Sequence, residues 1–345
     1  MNIARLALSA CFTASMACQR FADSGDTTGT SGGGSSQEGM RAPPVPKCAA
    51  ASTYGSPLPP VENRAARLVL QSVHEWEGPV WVPMLAALFF SEIDYDAAED
   101  AKGAIRSTLK ALTPSGSLAD FLAQSGSSGL ALAGDGQLLA AVYDTRTLAT
   151  FDVVHQTRAD LALLYRGKHL NAPRGVTVRS DGNAYFTDPA SRLAEGQTEL
   201  GFTGVFRLSP ANDVTLVDSA LHNPLGLTLG LEEASLYVSS EDGNGAVTKY
   251  AVAVDGSVSG GAHFVDVPHP AGMTMDCAGH LYVGTGGGTV AVFDANGMQV
   301  GEIGVGPRVI DVAFGGPEQK TLFITTGTPS PALFAIDLNV PGLPN

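Results

Sequence analysis

Positive charge is scarce in this 345-residue chain: 20 Lys and Arg stand against 34 Asp and Glu, a formal charge of −14. Beyond residue 60 the balance is 16 bases against 31 acids, and no basic stripe runs along any segment. Phosphate tracking needs clustered Lys and Arg, so nucleic-acid binding is excluded. An anionic membrane surface would likewise repel the domain. Charge of either sign is sparse at 16%, with 44% hydrophobic residues, a balance that belongs to a globular chain rather than a disordered one. Four cysteines are too few to staple a chain of this length, and none has a metal-thiolate spacing such as C-x2-C. No run of 18 apolar residues follows the N-terminus, so no internal helical span is expected. What the chain has in excess is glycine, 41 residues, about 12% against a usual ~7%. With few long helical patterns, that surplus points to many turns.

The first sixty residues read as an address and a tether. Met1 to Arg5 is a short basic head, Leu6 to Ala17 an apolar stretch of small residues, and Cys18 follows Ser15-Met16-Ala17. Residues 1–17 have the shape of a secretory signal peptide. The small residues before Cys18 resemble a bacterial lipoprotein box, in which the Cys is acylated, although Ser15 stands where Leu is usual. Leu8-Ser9-Ala10-Cys11 fits that box better by letter but leaves an apolar core too short for export. A simple cleaved signal without lipid is the alternative. Residues 18–60 form the expected tether. Thirteen of residues 24–39 are Ser, Gly or Thr, and six prolines fall in residues 43–60, a flexible coil followed by an extended spacer. Stable anchoring needs more than one acyl chain. Export would place Cys48 and Cys277 in an oxidising compartment; they either pair, pinning the spacer to the domain, or remain two free thiols.

Residues 61–345 repeat one unit six times. Each copy is a Gly or its substitute, an alternating apolar strand, a tight turn and a second strand. The third reads Gly175-Val176-Thr177-Val178, turn Asp181-Gly182, then Ala184 to Asp188. The anchors fall at 78, 129, 175, 226, 272 and 311, in steps of 51, 46, 51, 46 and 39 residues. Alternation at period two marks strands, and Asp-Gly turns mark hairpins. Most copies continue into another strand pair. Four strands per copy at ~47 residues is a β-propeller blade, so an all-β, six-bladed β-propeller is expected. Residues 66–73 alternate ahead of the first copy and should pair with the last blade to close the circle. Ile105, Leu109 and Leu112 have helical spacing, which predicts a loop or short helix over 98–113 where the repeat would put a strand.

Asn171 through Pro189 (NAPRGVTVRSDGNAYFTDP) resembles the senescence-marker-protein/gluconolactonase/luciferin-regenerating-enzyme-like (regucalcin-like) family, which typically reads Asn-Ser-Pro-Asn-Asp, VVRSDG and YFTDP in this region. Three further stretches agree: Glu77 to Trp81, Glu199 to Arg207 and Ala313 to Pro317. The resemblance covers residues 70–340. It implies a six-bladed propeller that hydrolyses lactones with one divalent cation, often calcium, held in the central channel by a Glu, two Asn and an Asp. Hard oxygen donors suit such a cation, which would polarise the lactone carbonyl and acidify a bound water.

The repeat registers those ligand positions, because each stands just before an anchor. Around the ring the chain offers Glu77, Ser128, Arg174, Leu225, Ala271 and Ile310, the expected channel lining. The family's Glu is kept as Glu77. Arg174, Leu225 and Ala271 stand where its two Asn and its Asp belong, while Pro173, Gly175, Pro224, Gly226, Pro270 and Gly272 stay in place. Leu and Ala have no lone pair for a cation, and Arg is always charged and repels one. A lone Glu has too few oxygens for a 6–8-coordinate ion. No metal is therefore expected unless the family activity survives. A two-pronged Glu77–Arg174 ion pair is expected in the metal's place; the bland alternative is that both point to water.

Other candidates carry less. His222 and His269 stand just before ring positions and read as loop residues. Ser128 lacks a Gly-x-Ser-x-Gly elbow. Asp94 and Asp188 read as turn caps, Trp76 and Trp81 as packing, and Tyr143-Asp144 as mouth residues with no assigned chemistry. The expected protein is an exported monomer, a membrane-anchored lipoprotein or otherwise secreted, touching membrane only through its lipid. Its expected role is a pseudoenzyme binding a small organic anion or a protein partner. A lactone hydrolase and an extracellular interaction scaffold are the alternatives.

Overall fold

A computed structural model describes residues 48–95, 105–161, 163–193 and 197–344. Residues 1–47, with the leader, Cys18 and the Gly/Ser segment, lie outside the described residues. Six four-stranded antiparallel sheets follow one another in chain order. Blade one is Glu75–Val82, Ala87–Asp94, Arg106–Leu112 and Leu118–Leu122. Blades two to five open at Ser127–Leu132, Val176–Val178, Leu227–Leu229 and Pro270–Met275. Blade six takes three strands from the C-terminus, and its outer strand is Arg67–Gln71, which pairs with Ala332–Asp337. The alternating segment ahead of the first repeat thus closes the circle, and the two ends of the domain hold each other.

The segment expected as a loop or helix over 98–113 is corrected over its described part: Arg106–Leu112 is the third strand of blade one. Its core-facing positions include Ser107, Leu109 and Ala111, two of them small. The apolar alternation is faint there, and the helical spacing of Ile105, Leu109 and Leu112 reads louder than the strand.

The core lies between blades. Val80, Phe89 and Leu109 pack on Leu138, Val142 and Phe151 between blades one and two. Ring closure is packed in the same way: Trp81 stacks on Phe323 at 6.3 Å, and Trp76 and Leu88 cluster with Leu333. The anchor glycines have a geometric cause. A Cβ on Gly78, Gly129, Gly175 or Gly226 would collide with the carbonyl of Ser128, Arg174, Leu225 or Ala271 on the next blade. The inner strands converge on the axis too closely for a side chain. Buried hydroxyls set their spacing in blades three and four. Thr187 Oγ1 accepts the Gly175 N–H at 2.9 Å and donates to Leu225 O at 2.6 Å. Ser239 repeats the arrangement with Gly226 N and Ala271 O, at 2.9 and 2.8 Å.

Each inner strand starts at its ring residue, on what we call the upper face, and runs to a turn on the lower face. Cys277 occupies that lower turn in blade five and is joined to Cys48 by a disulfide. From Cys48 the chain lies against blades five and six: Leu58 is buried in their shared core, Asn339 Nδ2 donates to Leu58 O at 2.9 Å, and Ala66 N donates to Gly304 O at 2.8 Å. Part of the expected spacer, from Cys48 on, is therefore a strap on the domain.

Candidate functional site

Four of the six ring residues, Glu77, Arg174, Leu225 and Ile310, line a cavity of about 20 Å³ on the axis, together with Asp311 and the anchor glycines. Ser128 and Ala271 are buried beside it; Ser128 turns to Glu77. The ring is two-sided: Glu77, Ser128 and Arg174 on blades one to three, and Leu225, Ala271 and Ile310 on blades four to six. Below it the channel widens to a second cavity of about 150 Å³, with Leu343 and Pro344 of the C-terminal segment in its wall.

Glu77 is 2% exposed, and donors surround it. Tyr95 OH donates to Oε1 at 3.0 Å. The hydroxyls of Ser128 and Tyr143 lie 2.7 and 3.1 Å from Oε2 and 2.9 Å from each other. Arg174 Nη2 approaches Oε1 to 3.5 Å and Arg192 Nη2 to 3.8 Å. The expected two-pronged pairing is thus replaced by a looser contact. Hydroxyls hold the hydrogen-bonding positions of the carboxylate, and the two guanidiniums share one oxygen. Burial alone would push the Glu77 carboxyl up, but Arg174, then Arg192, with the Ser128 and Tyr95 hydroxyls, hold it below the usual range. Burial and the Glu77 charge push both Tyr95 and Tyr143 upward, so they act as neutral donors.

Tyr143, placed at the mouth in the sequence, had no assigned chemistry, and Tyr95, Arg192 and Asp311 were not singled out as site residues. Tyr95 and Arg192 come from the loops that follow the second strands of blades one and three, and they meet beyond blade two with Arg192 Cζ 4.1 Å over the Tyr95 ring. The repeat covers strands and is blind to these loops. Asp311 is different, because a signal existed: it is the single non-glycine among the six anchors. Its carboxylate lies in the space a Cβ on Gly272 would fill and accepts the N–H groups of Gly78 at 3.2 Å and Val312 at 2.8 Å. Burial raises it to about 7, with Val312 N–H and Arg174 opposing.

Asp188 does more than cap a turn. Its Oδ2 accepts the Asn171 N–H at 2.8 Å. The Asn171 side chain in turn donates to Phe202 O at 2.9 Å and accepts from Thr198 Oγ1 at 2.8 Å. This knot holds the segment leading to Arg174 against the loop that carries Arg192. His222 and His269 are not among the residues that touch Glu77.

Fold and site together define a six-bladed propeller whose upper channel carries a buried, hydroxyl-clamped carboxylate between two arginines. The chain belongs to the SMP-30/gluconolactonase/LRE-like family, whose model matches residues 76–328. It is 30% identical over 282 residues to a gluconolactonase of Zymomonas mobilis, covering 74% of this chain and 78% of that one. It is 28% identical over 311 residues to a pentonolactonase of Haloferax volcanii, covering 81% and 96%. A solved gluconolactonase structure from Xanthomonas campestris superimposes with a TM-score of 0.70 at 26% identity, covering 87% of this chain and all of that one.

Proposed function

We propose that this chain is a gluconolactonase-like propeller whose metal site has been converted into a protein-satisfied charge cluster, and that it binds a small organic anion without metal-dependent hydrolysis. One observation carries the reading: both oxygens of Glu77 are taken by side-chain donors. The family's cation does not fit the residues present. Of the four ligand positions one keeps an oxygen donor, and a second holds a guanidinium 3.5 Å from that donor. A divalent ion seated there would face Arg174 and would have to displace three hydroxyls from its sole carboxylate among the ring residues. Arg174 and Arg192 stand against Glu77 and an Asp311 carboxyl raised to about 7, which leaves the cluster on balance positive, and the opposite half of the ring is apolar; together they favour a small anion.

The names of the relatives favour a second reading, a hydrolase of sugar lactones. A panel of gluconolactone and pentonolactones assayed with and without chelator separates the two, together with melting in added Ca²⁺. The expected result is no chelator-sensitive turnover and no Ca²⁺-dependent rise in melting temperature. Chelator-sensitive turnover abolished in Glu77→Gln would overturn the proposal. An interaction scaffold is the third reading; co-purification of a protein partner that survives changes at Glu77 would support it.

We further propose that the protein is exported and tethered through Cys18. The Cys48–Cys277 disulfide supports an oxidising compartment. Fractionation of cells expressing the full chain should place it with membranes, and Cys18→Ser should release it to the soluble exported fraction. Wild type found already in the soluble exported fraction would leave the simple cleaved signal as the reading, and Cys18→Ser remaining with membranes would overturn tethering through Cys18.

A further inference from the structure

The channel below the ring is bounded at both ends. Above, Gly129, Gly175, Gly226 and Asp311 line both the ring cavity of about 20 Å³ and the lower cavity of about 150 Å³. The neck between them therefore carries one side chain and passes nothing larger than a water. Below, Leu343 and Pro344 complete the wall. The segment that brings them there is gripped by blades five and six. Cys277 N–H donates to Pro341 O at 2.8 Å, Gly342 N–H to Gln319 O at 2.7 Å and Leu343 N–H to Met275 O at 3.0 Å. Gly342 lies so close to Phe314 that a Cβ would collide with that side chain. Just before it, Asn339 is held by the strap: its N–H donates to Pro57 O at 3.2 Å, and its Nδ2 to Ser56 O and Leu58 O at 3.1 and 2.9 Å. The strap itself is fixed at two points. Leu58 is buried in the core shared by blades five and six, and Cys48 is bonded to Cys277. Between these points, among the described residues, the hydrogen bonds of residues 49–55 stay within the strap, and Ala51–Thr53 buries no residue. Cys277 thus carries two grips at once. Its N–H holds Pro341, and its sulfur holds the strap that holds Asn339.

We infer that Pro341–Pro344 is a stopper under the lower channel and that the Cys48–Cys277 disulfide is its latch, so that entry to the lower cavity depends on the redox state of one bond. The stopper acts whatever the ring above it binds. Opening is a reduction. A dithiol supplies two electrons and two protons, the disulfide becomes two thiols, and the dithiol leaves as its own cyclic disulfide. Residues 48–55 are then free of the domain, and the grip on Asn339 rests on Ser56, Pro57 and Leu58 alone. Releasing one hold on so short a segment raises the population of its open form. The effect is local, because the latch lies on blade five and the strap on blades five and six. Two side chains of the cavity wall report it: Met273 and Met275 line the lower cavity and are 5% and 2% exposed.

The test is peroxide oxidation of the methionines in the full chain, mapped by mass spectrometry, on wild type, Gly342→Ala and the double variant Cys48→Ser with Cys277→Ser. Peroxide converts an accessible thioether to its sulfoxide. Met298, 63% exposed, sets the open rate, and Met84, packed on the core between blades one and two, reports general loosening. In wild type Met273 and Met275 should react far more slowly than Met298. Gly342→Ala pushes the stopper off Phe314 and leaves the disulfide intact; it should speed both methionines about tenfold or more with Met84 unchanged. The double cysteine variant should move them in the same direction by a smaller factor. Amide exchange at Leu343 should likewise quicken about tenfold in wild type reduced with dithiothreitol. Unchanged Met273 and Met275 rates in Gly342→Ala would overturn the stopper and the inference with it, and so would an equal rise at Met84. Opening by Gly342→Ala with no change in the double cysteine variant or on reduction would overturn the latch.

Discussion

Arg174→Ala should destabilise the domain by about 3–5 kcal/mol, the range for removing one partner of a buried charge pair. Glu77 is 2% exposed and cannot recover solvation when the guanidinium 3.5 Å away is deleted. Arg192 remains at 3.8 Å, so the lower end of the range is the better expectation. The cost belongs to the stranded carboxylate, which makes the prediction separable from simple loss of packing. Glu77→Gln combined with Arg174→Met should recover most of the stability, because two buried charges are then replaced by a neutral amide and an apolar chain. Denaturant unfolding of wild type, Glu77→Gln, Arg174→Met and the double variant closes the cycle and reads the coupling directly. If Arg174→Ala unfolds at the wild-type denaturant concentration, the pair does not stabilise the ring and the proposed charge cluster loses its physical basis.

Asp311 should make stability fall as the pH rises from about 4 to about 7. In the unfolded chain an aspartate titrates near ~3.9; in the fold Asp311 is raised to about 7. Between those values the folded state holds a proton that the unfolded state has lost, so raising the pH favours unfolding. The effect is complete above pH 7 and amounts to a few kcal/mol, at about 1.4 kcal/mol for each pH unit that separates the two titrations. Glu77 runs the other way: its lowered carboxyl stabilises above the unfolded value and loses that contribution only as the pH falls through acid. Asp188, also raised to about 7 by burial, adds a slope of the same sign as Asp311. The decisive measurement is therefore a difference. The melting temperature of Asp311→Asn minus that of wild type should grow from pH 4 to pH 7 and then level off. A difference that stays flat with pH would show that Asp311 titrates normally.

The organisation of the channel follows from these two groups. Blades one to three contribute a carboxylate, hydroxyls and guanidiniums, blades four to six contribute Leu225, Ala271 and Ile310, and Asp311 stands at the seam where blade six meets blade one. Here Glu77, Ser128 and Arg174 are partnered on one side of the ring while Leu225, Ala271 and Ile310 line the other.

Blade number and strand alternation were legible along the chain, because each rests on a local pattern repeated six times, and the closing strand Arg67–Gln71 was legible as one more alternating segment ahead of the first copy. Glycines recur where inner strands crowd the axis, Asp-Gly pairs recur where hairpins turn, and the residue before each anchor can be counted along the chain. Arg106–Leu112 escaped because Ser107 and Ala111 fill inward positions with little apolar signal. Asp311 was visible as the odd anchor, but its burial and its partner Gly78, 233 residues away, were not. Tyr95 and Arg192 had no signature of any kind. They lie on loops outside the repeat, and their meeting at Glu77 depends on how far two loops reach across the blade between them. That distance is set by the closing of the ring, a constraint involving all six blades at once, and no stretch of residues encodes it alone.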